Sequence, residues 1–275
     1  MATTPDASTR ALVADDKGSW VIDLDGVIWL AGEPIAGVGE AIDRLRASGA
    51  RVLFASNNSS PTIAALLSRL ERAGIEAQPH EVVTSGQAAA SMIEPGQTAL
   101  VIGDEGVVEA LDARGIHAVV AGDQVAPGAG LPDVDVVIVG WTHRFDFGLL
   151  ALANRAVRAG ARLIGTNEDP THPTPDGLLP GAGALLAAVA TAAGTAPEVA
   201  GKPHEPLARL IGERAGHVAA VVGDRPSTDG ALAAHLGAPF ALVLTGVTAP
   251  GDPVMDPAPA LVAPDLLAVV KAATL

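Results

Sequence analysis

The strongest constraint on this chain is an alternation that runs along most of its length: short β-branched apolar runs separated by segments of helical periodicity. Residues 20–24, 51–55, 98–102, 134–139, 162–165, 218–222 and 240–244 read as strands, and 38–47, 145–159, 182–193, 205–214, 227–236 and 264–273 as helices. Another helix is expected after Ser60-Pro61, a cap residue followed by Pro at the first helical position, where Ile63, Leu66, Leu67 and Leu70 keep helical spacing up to Gly74. Strands that are apolar throughout must be covered on both faces, which is what helical crossovers between parallel strands achieve. The pattern therefore predicts an α/β fold, a Rossmann-like parallel sheet wrapped by helices.

The pattern breaks twice. From about Ser85 it restarts as a separate α/β unit, and a loop over 166–180, rich in Pro, Thr, Asp and Gly, precedes a return to the first style. The expected organisation is a sheet domain in two segments, 1–84 and 177–275, with an α/β domain inserted at 85–176. A chain of 275 residues, 49% hydrophobic and 17% charged, can bury such cores.

Composition excludes several classes of function. The formal charge of −14 makes nucleic acid a poor partner, since phosphate backbones require clustered Lys and Arg. With no cysteine there is neither disulfide nor thiolate chemistry. Residues 1–19 lack the apolar core of a signal peptide, and no run is long enough for a membrane helix; the Ala-rich 182–193 segment is too short. A cytoplasmic protein without membrane contacts is expected.

Chemistry concentrates where predicted strands end. Val21-Ile22-Asp23-Leu24-Asp25-Gly26 closes an apolar strand with two carboxylates, and residues two apart on a strand face the same way. Ligands of parallel α/β sheets bind at the carboxyl ends of strands, and paired carboxylates there suit a hard cation such as Mg²⁺. Taken alone, Asp-Gly also suits an ordinary turn. A second strand ends in Ser56-Asn57-Asn58 before a helix start, where a phosphate would meet a hydroxyl and free N–H groups; a plain turn would read the same way. Gly201-Lys202-Pro203 places one lysine ahead of a helix, a signal indistinguishable in isolation from a surface lysine. Finally, Val222-Gly223-Asp224 puts another acid on a strand tip, and Asp229 follows near a helix start, where it could equally complement the helix dipole. Turn chemistry explains each of these; it does not explain all of them together.

In that order, DLDGVIW, SNN, GKP and GDRPSTD resemble the four motifs of the haloacid dehalogenase superfamily. The insertion between the second and third motifs and the loop TNEDPTHPTPDGLLPGAGAL resemble subfamily IIA, whose members include NagD-type nucleotide, para-nitrophenylphosphate, pyridoxal phosphate and phosphoglycolate phosphatases. The likeness runs from about residue 18 to 247; one departure is Gly230, where many relatives carry Ile. It implies a parallel-sheet core with a C2-type cap, and an Mg²⁺-dependent phosphatase acting on a small monoester, with sugar and glycerol phosphates among the candidates. Asp23 would be the nucleophile that forms an aspartyl-phosphate, and Asp25 the general acid and then base. Ser56, Asn57 and Lys202 would bind the phosphoryl group. Mg²⁺ would sit between Asp23, Asp224 and the main-chain carbonyl of Asp25, with Asp229 and Asn58 in support.

In the inserted domain, the resemblance makes His172 and Trp141 candidates for contact with the substrate, although a loop His is commonly solvated and a Trp beside a strand commonly core. The remaining histidines, His143 among them, read as structural or surface residues. The resemblance leaves room for a homodimer through the cap. A phosphomutase would share the aspartyl-phosphate and differ in the acceptor, and a phosphate sensor would bind without turnover. A P-loop is excluded, because GxxxxGK[ST] is absent.

Overall fold

A computed structural model describes residue 12 and residues 18–124, 130, 133–174, 177–252 and 256–274. Of residues 1–19, expected to lack a signal peptide, 1–11 and 13–17 lie outside the described residues. Among the described residues no helix is long and apolar enough to cross a membrane. The chain forms two compact units, one of Met1–Ser56, Leu66–Val83 and Ala208–Leu275, the other of Asn57–Ala65 and Thr84–Leu207.

The first unit is built on a six-stranded sheet in the order Leu261–Ala263, Phe240–Val243, Val218–Gly223, Ser19–Asp23, Arg51–Ser56, Val82–Thr84. Strand Ser19–Asp23 runs parallel to both of its neighbours, and all five of its residues are buried. This double coverage is why its sequence is apolar without alternation. The strand stops at Asp23 because Leu24 is drawn into a turn, its carbonyl accepting the N–H groups of Ile28 (2.9 Å) and Trp29 (3.2 Å). Helix Val38–Ala47 buries Val38, Ala41, Ile42 and Leu45, one face at helical spacing. The expected helix over 227–236 divides into a π-helical turn, Pro226–Gly230, and the α-helix Ala231–Leu236. Strand Leu261–Ala263 escapes sequence reading because three residues are too few to show a period.

The second unit holds a five-stranded parallel sheet in the order Glu198–Val199, Arg162–Gly165, Val136–Val139, Thr98–Ile102, His117–Val120. Its core joins Leu100, Val137, Val139, Leu152 and Leu163 to Leu186 and Val189 of helix Ala182–Ala193. That helix and strand Glu198–Val199 pack with this sheet, so the compact unit extends to Leu207, whereas the sequence reading put a boundary at 176. Residue 176 itself is outside the described residues. Segment Asn57–Ala65 also falls in this unit, through side-chain bonds such as Ser59 Oγ to Thr166 Oγ1 at 3.0 Å. The loop expected over 166–180 contains an antiparallel hairpin, Thr171–Thr174 with Gly177–Pro180, in which His172 pairs with Leu179.

Candidate active site

In the first unit, two strand ends and a π-helical turn bring acids together. Asp23 is the last residue of its strand, Asp224 follows strand Val218–Gly223, and Asp229 lies in the π-helical turn. One carboxylate oxygen from each lies within 4.8 Å of the others, and all three residues are buried. Like charges this close in a poorly hydrated site repel strongly, so the cluster calls for a cation or for protons. Hard carboxylate oxygens without His or Cys fit a small divalent cation of the Mg²⁺ type. The sequence expectation is side chains from Asp23 and Asp224, the main-chain carbonyl of Asp25, and Asp229 in support; the structure groups the carboxylates of Asp23, Asp224 and Asp229.

The Asp25 carboxylate is instead held by an indole. Trp29 Nε1 donates to Asp25 Oδ1 at 2.9 Å, and Gly26 N donates to Trp29 O at 2.7 Å, closing a compact turn. Trp29 has no assigned role in the motif reading, and the sequence signal for its contact is the spacing Asp25-x-x-x-Trp29. Gly26 has φ of +88°, and a Cβ there would lie 2.5 Å from Asp224 Oδ2, so both the backbone and the space require glycine.

A second omission is the loop after strand Phe240–Val243. Val247 N donates to Asp224 Oδ2 at 2.6 Å, Thr248 Oγ1 to Asp224 O at 2.5 Å, and Thr245 Oγ1 to Gly26 O at 2.5 Å. These bonds fix Asp224 from both ends, its carboxylate and its carbonyl. The available signal was an apolar strand ending in Thr-Gly-Val-Thr, small hydroxyl residues like those after residue 55. Asp229 is oriented locally, Oδ2 accepting from Arg225 N at 3.1 Å. Ser56, buried, ends strand Arg51–Ser56.

In the second unit, Lys202 is buried at 3% exposure, and its N–H donates to Asn57 Oδ1 at 2.7 Å. Asn58 Oδ1 accepts from Ser60 N at 3.0 Å, a local turn bond that supports the segment. Trp141 and His172, proposed separately from sequence, meet: their ring centroids are 4.6 Å apart. His143 packs on the same indole at 4.3 Å, edge to face, a partner that sequence reading had set aside. Trp141 Nε1 donates to Pro180 O at 2.9 Å, tying the indole to the hairpin.

Comparison with known proteins points the same way. Residues 20–117 match the family described as haloacid dehalogenase-like hydrolase, and residues 199–269 one described as HAD-hydrolase-like. The chain is 36% identical over 247 residues to the D-glycerol 3-phosphate phosphatase of Mycobacterium tuberculosis, covering 88% of this chain and 67% of that protein. It is 34% identical over 238 residues to the acid sugar phosphatase of Staphylococcus aureus, covering 84% and 87%. The crystal structure of a glycerol phosphate phosphatase from Mycobacterium tuberculosis in complex with magnesium superposes with a TM-score of 0.80 at 33% identity, covering 93% of this chain and 77% of that one. With motifs, fold and 34–36% identity over 84–88% of this chain in agreement, this chain belongs to the haloacid dehalogenase-like hydrolases.

Proposed function

We propose that this protein is an Mg²⁺-dependent phosphatase that hydrolyses a small phosphate monoester through an aspartyl-phosphate on Asp23. The observation that carries the reading is the cluster of three buried carboxylates, two at strand ends and one in the π-helical turn, in a chain whose relatives are named as phosphatases. A carboxylate attacks a phosphate dianion only when positive charge offsets the repulsion between them. Asp23, Asp224 and the Asp25 carbonyl would hold Mg²⁺, with Asp229 in support, and the ion would supply that charge.

The chain's own residues carry the rest. Asp23 takes the phosphoryl group. Asp25, steadied by Trp29, protonates the leaving alkoxide and then takes a proton from the water that opens the aspartyl-phosphate. Ser56, the Asn57 main chain and Lys202 bind the phosphoryl oxygens. The second compact unit acts as the specificity domain, and Trp141 and His172, within its segment 85–176, discriminate between leaving groups. Glycerol phosphates and sugar phosphates are the favoured class, as in the named activities of the two relatives. A homodimer through the inserted domain and a cytoplasmic location complete the proposal.

Phosphate release from a panel of glycerol, sugar, nucleotide, phosphoglycolate and pyridoxal phosphates, with Mg²⁺ and with chelator, tests it. Turnover that requires Mg²⁺ and favours glycerol or sugar phosphates is expected. Undiminished turnover in excess chelator, or transfer to a second sugar without phosphate release, would overturn it.

A further inference from the structure

Asn57 was expected to bind phosphate, yet its side chain is engaged elsewhere. Oδ1 accepts the Lys202 N–H at 2.7 Å, and Nδ2 donates to Lys202 O at 3.2 Å. One amide thus brackets both main-chain groups of a single residue, much as a neighbouring strand would. Nδ2 also donates to Asp169 Oδ2 at 3.0 Å. The Lys202 N–H can only donate and the Lys202 carbonyl only accept, so the amide points its oxygen toward the N–H and its nitrogen toward the carbonyl, and Asp169 adds a second acceptor on the nitrogen side.

The bracket is held in turn from behind. The Asn57 carbonyl accepts from Asn167 Nδ2 and from Ser85 Oγ, each at 2.6 Å. Asn167 Oδ1 accepts Asp169 N at 3.0 Å, so the loop that carries Asp169 is pinned to the same centre. Gly201 lets the chain approach: a Cβ there would lie 2.6 Å from Asn57 Oδ1 and 2.6 Å from Thr166 O. Every member is in one compact unit, and Asn167 and Lys202 are buried.

We propose that Asn57 is a positioning residue for Lys202, supported by Asp169, and that its side chain is not a phosphate ligand. A lysine ammonium rides on a flexible four-carbon stem, so its placement depends on how tightly the main chain beneath it is fixed. Small misplacement of a charge-stabilising group lowers rate steeply. This inference rests on the reading of Lys202 as the cation for the phosphoryl group.

The test measures kcat and KM for para-nitrophenyl phosphate with Mg²⁺, together with thermal unfolding, for Asn57→Ala in the Lys202 and Lys202→Ala backgrounds. In the Lys202 background kcat should fall about ten- to hundredfold, the range for a lost buried polar contact. In the Lys202→Ala background the same change should alter kcat by less than about threefold, because residues that act as a unit are not additive. The loss of thermal stability should be alike in both. Asn57→Asp sets a second carboxylate against both Asp169 and the Lys202 carbonyl, and Asp169→Asn added to it restores one donor facing one acceptor at the first of these, so the double variant should recover part of the lost kcat, at least about threefold over Asn57→Asp. If Asn57→Ala does not fold, this rescue pair, which keeps side-chain size, carries the test. Full activity of Lys202→Ala would sink the role of Lys202 and this proposal with it. A large loss in Lys202→Ala combined with equal Asn57→Ala losses in both backgrounds, or no rescue by Asp169→Asn, would sink the bracket alone.

Discussion

The two sheets of this protein follow one plan and end differently. Strands Ser19–Asp23 and Val136–Val139 are both parallel and buried throughout, and each is flanked by strands of the same kind. At the carboxyl ends of the first sheet stand Asp23, Ser56 and Asp224; at those of the second stand Gly103-Asp104, Gly140-Trp141 and Thr166-Asn167. Only the first brings three acids within one ion's reach among the described residues. The framework supplies a platform, and the few residues beyond each strand decide whether it hosts phosphoryl chemistry or recognition.

The largest expected effect contrasts one acid from each platform. Asp23→Asn should lower kcat by roughly 10⁴-fold or more, because no other residue takes the phosphoryl group. Asp104→Asn, at a strand end of the second sheet, should leave kcat within about twofold. Comparable losses from both, in steady-state assays on folded protein, would erase the functional difference between the sheets.

Next in size is the dependence of the acid cluster on a cation. Binding to the native state alone raises stability, so Mg²⁺ should raise the unfolding temperature of the wild type clearly and that of Asp224→Asn little. In chelator the order should reverse, with Asp224→Asn unfolding above the wild type, because one of three crowded charges is gone. Calorimetry with and without Mg²⁺ reads both. Equal Mg²⁺ shifts in the two proteins would break the assignment.

The second platform should act on selectivity. His172→Ala and Trp141→Ala should reduce kcat/KM for the preferred monoester by about ten- to hundredfold, and barely affect para-nitrophenyl phosphate, whose leaving group needs little help. Equal losses on both substrates would make the Trp141–His172 pair a structural feature of the hairpin.

The smallest effect concerns how the short strand Glu198–Val199 is fastened to the second sheet. Arg162 Nε and Nη2 grip the two Glu198 oxygens, each at 2.9 Å. The hydrogen bond from this guanidinium holds Glu198 below the ordinary glutamate value of 4.5. A carboxylate with a depressed folded-state pKa stabilises the fold above its unfolded pKa. That contribution disappears as pH falls below 4.5 through the lowered value. The pair is substantially exposed, so Arg162→Met should lower stability by less than about 1 kcal/mol at pH 7, and by less at the acid end of that window, where only the bond from Arg162 Nη1 to Met92 O is left to lose. Denaturant titrations at the two pH values decide it.

Much of the site was legible because strand ends and motif order are written locally. Asp23, Asp224, Ser56 and Lys202 each stand next to a change of period that any reader of the chain can mark. The parts that escaped depend on partners far along the chain. Thr245 and Val247 matter through Gly26 and Asp224, and nothing around residue 245 records that proximity. Asn57 looks like a phosphate-loop residue from its neighbours, and only its bonds to residues 145 and 112 positions away give its side chain another task. Helix Ala182–Ala193 shows the same limit for domains: its Ala-rich pattern suits either sheet, and it joins the one that Leu186 and Val189 can fill. Sequence alone determined the strand and helix periods, the acids at strand tips and the class of chemistry, since these follow from neighbours a few residues apart. Tertiary structure decided which side chains hold which, because a hydrogen bond between distant residues depends on where the folded backbone brings them and leaves no period in the chain.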